Sequence, residues 1–484
     1  MRKSLQWILF LRALATGVLA PVLTLSLLAH GATLQTVSLL IGVYSLTVVA
    51  AEFPSGVFAD LYGRKTAFLI SCAAHLSAFA LLLVSAHAAT LLAAMALSGL
   101  ARAFSSGSID ALAIDGAPDG AALVKVTARL SVLESAGLAV GALAGGPLAA
   151  LGRGYAGNLG ANLALYAVLL TLTVFAVHER PRRPVAARRR GGARPAAETA
   201  PPWGDPGGIP DACATRTTSG EEPLRGPVPA LVARRVPAPQ PSPASMPGDP
   251  FGAALPLADE PRLSPAALVR ECLTFLRRPG SPRVLALLTL LTGFCLLTVE
   301  TYWQPALSDF STPSWALGAV SFAGFFSVLL GSKAAERWML RSPGAATRLL
   351  FAQKALLGGC LALLALARGT FVFAGVYAAA YLFIGGGDVA GSALLNRMTP
   401  ARRRASVLSL FSFLLQIGGL AAALAGYAVS AAGRYRALWL IAGALMVGAA
   451  FGLALYRRHR RRWRKEGARA PAAGAGPAEY DFKG

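Results

Sequence analysis

The sequence predicts an all-α polytopic membrane protein with twelve transmembrane helices, and three observations support that fold class. Of the 484 residues, 55% are hydrophobic and 14% are charged, which is too apolar and too weakly charged for a typical water-soluble domain. Apolar runs of about 20 residues, the length that a helix needs to cross a bilayer, recur along the chain. These runs lack the alternation of apolar and polar residues found in the strands of membrane barrels, so each is predicted to be a helix.

The apolar runs fall into two groups of six. The predicted spans are 5–29, 34–58, 66–87, 90–109, 127–150, 156–177, 284–307, 314–337, 348–367, 370–392, 405–431 and 435–456. This division predicts an N-terminal six-helix lobe over residues 1–178, a linker over 179–281, a C-terminal six-helix lobe over 282–456 and a basic tail over 457–484. Similar residues open the fifth and eleventh spans, which indicates that the two lobes are pseudo-symmetric copies.

Basic residues mark one side of the membrane. Lys and Arg concentrate at the N-terminus, in the even-numbered connections and in the tail, so both termini are predicted to be cytoplasmic. The first apolar run is interrupted by Arg12 and resumes to Leu28, which is too long for the apolar core of a signal peptide. We therefore expect an uncleaved first span.

The net charge of +23 raises the question of a nucleic-acid partner. Residues 180–283 carry a net charge of +7 and residues 457–484 a net charge of +6, and both segments lie beside predicted spans. They lack the interleaved aromatic residues of a nucleic-acid interface, so membrane lipids and no nucleic acid are the predicted partners. Most of the 31 prolines lie in 179–281, which predicts a disordered linker that ends in a short interfacial helix.

The sequence contains no recognisable catalytic or cofactor motif. The five cysteines show no C-x-x-C spacing, and no Walker, H-E-x-x-H or G-x-S-x-G motif is apparent. We therefore expect neither an enzyme nor a metal or other cofactor. If such a membrane protein moves a solute, its energy must come from an ion gradient or from the substrate's own gradient, and protons are the predicted coupling ion.

The connection between the second and third spans carries a motif composed of Gly56, Asp60, Gly63, Arg64 and Lys65. It resembles the G-x-x-x-D-[RK]-x-G-R-[RK] loop of the major facilitator superfamily, and it lies where that family places the loop. Leu61 departs from the family pattern, which has a basic residue at that position. The resemblance implies a small-molecule transporter whose lobes rock around a central cavity, with this loop controlling the conformational change.

Two further segments resemble a bacterial, efflux-like branch of this superfamily. They are Glu52–Gly56 and Ser106–Ala111 with Asp115. The resemblance implies a location in the cell (inner) membrane.

Polar residues inside predicted spans are the candidates for substrate binding or proton coupling, because a charge in a membrane is expensive to keep. These candidates are Arg12, Glu52, Arg102, Asp110, Glu134, Glu300, Trp303 and Asp388. A buried carboxyl group can hold a cation or exchange a proton. An equally weighted alternative is that Arg12 and Glu300 form a structural ion pair between helices, and Asp110 is more consistent with a gate or a helix end.

Small residues at four-residue spacing mark the fifth span. They are Gly137, Gly141, Gly145 and Gly146, followed by Pro147. The segment loosely resembles the glycine-proline motif of drug–proton antiporters, and the alternative is ordinary close packing of helices.

These observations lead to proton-coupled export of a small molecule as the predicted function. The alternatives are proton-coupled uptake of a metabolite and a membrane scaffold or sensor that does not transport.

Overall fold

The computed structural model describes residues 3–84, 87–106, 108–115, 121–177, 274, 281–342, 345–399, 404–430 and 433–467. Nearly all of these residues are α-helical, and the described part of the chain contains no strand. The described helices belong to one compact unit, Met1–Arg180 with Leu263–Gly484. The predicted linker and its interfacial helix lie outside the described residues, apart from Thr274 and Ser281.

The N-terminal part contains eight α-helices. They are α1 (Lys3–Leu19), α2 (Leu23–Ala29), α3 (Leu34–Tyr62), α4 (Arg64–Val84), α5 (Ala88–Ser105), α6 (Ile109–Asp115), α7 (Ala121–Leu148) and α8 (Ala156–Ala176).

The C-terminal part contains six described α-helices. They are α9 (Ser281–Ser308), α10 (Ser314–Arg341), α11 (Ala346–Leu366), α12 (Thr370–Met398), α13 (Arg404–Ser430) and α14 (Tyr435–Gly467). The last helix extends eleven residues beyond Tyr456, where the predicted span ends, although its membrane-compatible part is Tyr435–Gly452.

Eleven of the described helices are long and apolar enough to cross a membrane. The first predicted span, 5–29, is a bent pair, because α1 and α2 meet at an angle of 50° and together form the twelfth candidate. Pro21 lies in the break, and proline ends a helix because it has no backbone N–H and clashes with the preceding turn.

The two halves of the chain repeat the same helix packing. In the N-terminal half, α1 packs on α7 and α8, α5 packs on α3 and α4, and α4 packs on α8. In the C-terminal half, α9 packs on α13 and α14, α12 packs on α10 and α11, and α11 packs on α14. Each of these five contacts in the first half therefore has its counterpart in the second, as expected for two pseudo-symmetric lobes.

Two helix pairs make the main contacts between the halves: α3 with α13, and α7 with α10. We call the end of the bundle at which α1 begins the proximal end, and the end at which α2 finishes the distal end. The buried apolar residues form one cluster in each half, with Ile8, Phe68 and Leu159 in the first and Trp303, Phe373 and Trp439 in the second.

Candidate functional site

The motif between the second and third spans is formed by the ends of two helices. It is predicted to be a loop, but α3 continues to Tyr62 and α4 begins at Arg64, so Gly63 is the whole connection. Gly63 has a φ of 100°, which a residue without a side chain adopts easily. The motif is therefore a sharp corner between helices, and its role in gating stays a prediction.

Two basic residues follow this corner on α4. Arg64 is half-buried, and Lys65 donates a hydrogen bond through Nζ to the backbone oxygen of Val174 at 2.8 Å. Val174 lies in the last turn of α8, where a cation interacts favourably with the exposed carbonyl groups. Gly56 faces open space, and the side chain of Asp60 lies outside the described residues.

Arg12 and Asp110 form a close ion pair in the N-terminal half. Arg12 donates from Nη1 to Oδ2 of Asp110 at 2.8 Å and from Nη2 to Oδ1 at 3.0 Å. Nη1 also lies 3.4 Å from Oγ of Ser105, and the arginine side chain is only 12% exposed. Two parallel charge-assisted hydrogen bonds fix both orientation and distance, so this pair ties α1 to α6.

Glu134 and Glu300 do not bind Arg12 directly. Glu134 is an exposed residue of α7 that interacts with Arg12 electrostatically. Among the described residues, its carboxylate and the guanidinium of Arg12 are not within the 4.0 Å of an ion pair. The alternative of an Arg12–Glu300 pair does not match the structure, because Arg12 pairs with Asp110 and Glu300 with a tyrosine. Arg12 and Asp110 lie toward the proximal end of the bundle, whereas Glu300 is eight residues from the distal end of α9.

A second polar group lies between α3, α5 and α13. Arg102 of α5 interacts with Tyr44 and Glu52, which are both on α3. Oε1 of Glu52 accepts a hydrogen bond from Oγ of Ser412 at 3.4 Å, and Oε2 is buried without a hydrogen-bond partner among the described residues. Because Ser412 belongs to α13, Glu52 lies at a contact between the halves.

Glu300 lies in an aromatic cluster of the C-terminal half. The hydroxyl of Tyr381 donates a hydrogen bond to Oε1 of Glu300. Tyr381 packs on Tyr377 with ring centroids 4.5 Å apart, and Tyr377 packs on Trp303 at 5.1 Å. Trp303 is 1% exposed, and its indole nitrogen has no hydrogen-bond partner among the described residues. A carboxylate beside aromatic faces is a favourable setting for a cation or a mobile proton.

The halves are joined at the distal end by the amide of Gln304. Its Oε1 accepts hydrogen bonds from the backbone nitrogens of Thr24 at 2.8 Å and Leu25 at 3.4 Å, and its Nε2 donates to the oxygen of Ala20 at 2.8 Å. Ala20 lies in the break between α1 and α2, and Thr24 and Leu25 lie in the first turn of α2, where backbone N–H groups have no partner within the helix. One side chain of α9 therefore completes the broken first span.

A second distal contact involves Tyr302. Its hydroxyl lies 2.5 Å from Oγ of Ser38 on α3 and 2.9 Å from Oγ of Ser430 on α13. Because Ser38 lies in the N-terminal half and Tyr302 in the C-terminal half, this bond also joins the halves.

The glycines of α7 lie against two other helices. Gly137, Gly141 and Gly145 face the backbone of α1, and a Cβ atom added at Gly137 would lie 2.6 Å from the oxygen of Phe10. Gly146 faces α10 across Gly318, while Pro147 is exposed one residue before α7 ends. The spacing thus allows α7 to approach both α1 and the opposite half closely.

Several residues that complete these groups are absent from the sequence-based candidates. Ser38, Ser412, Tyr377 and Tyr381 are small or aromatic residues within apolar runs, and a charge-based search does not select them. The four-residue spacing of Tyr377 and Tyr381 was an available signal, because it places both rings on one helix face. Within the described part of the chain, no group of three or more His, Cys, Asp or Glu residues could hold a metal ion.

Comparison with known proteins identifies a family and a fold. A model of the Major Facilitator Superfamily matches residues 7–353. The nucleoside transporter NupG is similar in structure, with a TM-score of 0.64 and 12% identity over 93% of this chain and 98% of that chain. No curated protein gives a significant sequence match.

Two other solved structures are also similar. A POT family transporter in complex with a thioalcohol-conjugated peptide gives a TM-score of 0.65 and 10% identity, covering 94% of this chain and 96% of that chain. A bacterial metal transporter gives a TM-score of 0.57 and 14% identity, covering 94% and 99%. At these identities the likeness concerns the fold alone, and it confirms the predicted fold class.

Proposed function

Because the chain belongs to the major facilitator superfamily, it is a multi-pass membrane transporter, and we propose that it exports a small molecule in exchange for protons. The substrate enters a central site from the cytoplasm and leaves on the opposite side as the two six-helix lobes rock against each other. Both termini face the cytoplasm in this proposal, and the membrane is the cell (inner) membrane.

The contact of Gln304 with the broken first span is the main observation that supports alternating access as the transport mechanism. Its amide holds the two halves together at the distal end, with Tyr302 and Ser38 beside it. Hydrogen bonds from a side chain to backbone groups can break and be replaced by bonds to water, whereas the backbone bonds within a continuous helix stay formed. The distal end is thus closed by contacts that a rocking movement can release.

Glu300 is the proposed site of substrate binding and proton exchange, with Trp303 as an aromatic wall. The carboxylate accepts one hydrogen bond from Tyr381 and lies beside three aromatic rings. An organic cation and a proton both neutralise this carboxylate, so the two compete for it, which is the requirement of an antiporter. Desolvated cations are further stabilised by aromatic faces.

The remaining predicted residues have supporting roles in this proposal. Arg12 and Asp110 brace the first span, Glu134 adds to the field around Arg12, and Arg102 and Glu52 respond to movement of α13 against α3. The corner at Gly63 controls the conformational change. Export rather than uptake is favoured by the glycine-proline segment of α7, which resembles that of drug–proton antiporters.

Accumulation of fluorescent lipophilic cations in efflux-deficient cells tests the proposal. Cells would express the natural protein, Glu300→Gln, Asp60→Asn or the matched control Glu336→Gln, with and without a protonophore. Glu336 is an exposed residue that pairs with Lys333 at 3.0 Å, so its replacement changes a carboxyl group away from the site. Immunoblots would verify equal amounts of protein in the membrane.

Export predicts lower accumulation with the natural protein and with Glu336→Gln, and loss of this effect in Glu300→Gln, in Asp60→Asn and on adding the protonophore. Accumulation that rises on expression would instead demonstrate uptake. An unchanged panel together with an unchanged metabolite profile of the medium would contradict export.

A further inference from the structure

Lys354 lies in the interior of the C-terminal half. It is a residue of α11 and is only 4% exposed, although its helix is one of the membrane-compatible spans. A buried ammonium group is costly unless a nearby carboxylate compensates for the lost hydration. The charge is therefore a functional candidate that the proposed export site does not use.

Two adjacent glycines make room for the polar side chains of α11. A Cβ atom added at Gly387 would lie 3.2 Å from both Cε and Nζ of Lys354, and one added at Gly386 would lie 2.6 Å from Nε2 of Gln353. Oε1 of Gln353 is buried without a hydrogen-bond partner among the described residues. The glycines of α12 thus leave space for a polar group between α11 and α12.

Asp388 is the partner of Lys354, but the pair is loose. Nζ of Lys354 lies 3.8 Å from Oδ1 of Asp388, which is too long for a hydrogen bond. The aspartate side chain is 62% exposed while that of the lysine is 5% exposed. Water or an ion can therefore reach the carboxylate without displacing the lysine.

The other helices that pack on α12 contribute no second charge to this carboxylate. From α9, Cys295 lies near enough to interact with Lys354, and Glu300 binds Tyr381. On α10, Lys333 and Glu336 pair with each other on the exposed surface. In the part of the chain that the structure describes, Lys354 is the single cation within 4.0 Å of Asp388.

We propose that Asp388 and Lys354 form a second proton-exchange site, through which a proton leaves Glu300 toward the proximal side of the membrane. The Asp388 carboxylate takes up one proton and becomes neutral, while Lys354 keeps its charge and loses its counter-ion. Release of the proton restores the pair, and no other bond changes. The role of this site in transport rests on the proposed function, proton-coupled export.

The position of Asp388 on α12 supports this route. Asp388 and Tyr381 are seven residues apart and share one helix face, about 10 Å apart along the axis at 1.5 Å per residue. Asp388 is ten residues from the proximal end of α12, at Met398, and eighteen from the distal end. A proton that leaves Glu300 and its tyrosine toward the proximal side therefore passes Asp388 on its way.

Infrared difference spectroscopy of the purified full-length protein in lipid tests the proposal without a transport substrate. A step from alkaline to acidic pH is expected to produce the carbonyl band of a protonated carboxyl group. Asp388→Asn should remove one component of this band, and Asp388→Glu should restore it at a shifted frequency. Lys354→Met should make that component appear at higher pH, because the carboxylate loses its positive neighbour.

Asp309→Asn is the matched control, since Asp309 lies at the distal end of α9 beside Arg436. A spectrum of Asp388→Asn identical to that of the natural protein, or the same loss in Asp309→Asn, would overturn the inference. A component that responds to sodium at fixed pH instead of to protons would also overturn it. If Asp388→Asn removes the infrared component but the accumulation assay shows no protonophore-sensitive export, the proton-exchange site stands and the proposed function is refuted.

Discussion

Among the described residues, an ion pair lies inside the helix bundle in each half, and the two pairs differ in geometry. Arg12 and Asp110 meet through two hydrogen bonds of 2.8 and 3.0 Å, whereas Lys354 and Asp388 lie 3.8 Å apart. The side chain of Asp110 is 38% exposed and that of Asp388 is 62% exposed. The cation is the less exposed partner in both pairs, at 12% for Arg12 and 5% for Lys354.

This difference separates an ion pair that fixes the structure from one whose carboxylate can take up and release a proton. The guanidinium of Arg12 cannot release its proton under ordinary conditions and presents a planar pair of donors to the carboxylate. Lys354 is a single point charge that makes no hydrogen bond to Asp388, so the carboxylate can take up a proton while the lysine keeps its charge. The N-terminal pair therefore stabilises one arrangement of α1 and α6, and the C-terminal pair tolerates two charge states.

Removing the carboxylate from each pair gives the largest expected contrast. We expect Asp110→Asn to lower the free energy of unfolding by about 3 kcal/mol, because the buried arginine is left without its counter-ion. Asp388→Asn should cost less, about 1 to 2 kcal/mol, because the buried lysine loses a counter-ion that is 3.8 Å away and makes no hydrogen bond to it. Unfolding in mixed micelles of lipid and dodecyl sulfate would measure both, and equal losses would contradict the distinction.

A smaller effect is expected where α1 packs on α7 in the N-terminal half. A Cβ atom at Gly141 would lie 2.9 Å from Cα of Gly17 and from the nitrogen of Val18, both on α1. Gly141→Ala should therefore destabilise the protein by about 2 kcal/mol, the usual cost of overpacking. Gly160→Ala is the control, because nothing lies within 4 Å of its Cβ position. Equal stability of the two variants in the same unfolding assay would refute close packing as the role of Gly141.

The smallest effects concern the balance between open and closed distal ends. Gln304→Leu removes the bonds to Ala20, Thr24 and Leu25 and should favour opening by about 1 to 2 kcal/mol. Tyr302→Phe, which loses only one bond between the halves, should shift the balance less. Ser430→Ala should have no effect, because its bond to Tyr302 lies within one half.

Electron–electron distance measurements would follow this opening. Spin labels at His87 and Arg368, which are exposed in the distal connections of the two halves, would report their separation in a cysteine-free background. A longer distance in Ser430→Ala than in Gln304→Leu would be the opposite of the expected order.

The spans were predictable because apolar length alone decides whether a helix crosses a membrane. The structure agrees with the predicted order of spans, including both groups of six. Pro21 was a local signal for the break in the first span, although the apolar run continues through it. The corner at Gly63 was harder to predict, since α3 remains helical through Asp60 and only one residue forms the turn.

The partners of the charged residues depended on packing. Arg12, Asp110, Glu300 and Asp388 were recognisable as candidates because charges are rare in apolar runs. Their pairing was not, since Asp110 is 98 residues from Arg12 along the chain and Tyr381 is 81 residues from Glu300. The burial of Lys354 could not be predicted either, because it depends on the space that Gly387 of α12 leaves for the lysine side chain.

The helical character of this protein, its repeated crossing of the membrane and its two similar halves all follow from the amino-acid sequence, because hydrophobic length and periodicity are local properties of the chain. Three-dimensional packing was needed to show that Arg12 and Asp110 are hydrogen-bonded while Lys354 and Asp388 are not, and that Gln304 completes the broken first span. Those features depend on angles and distances between helices far apart in sequence, which are set by the packing of whole side-chain surfaces.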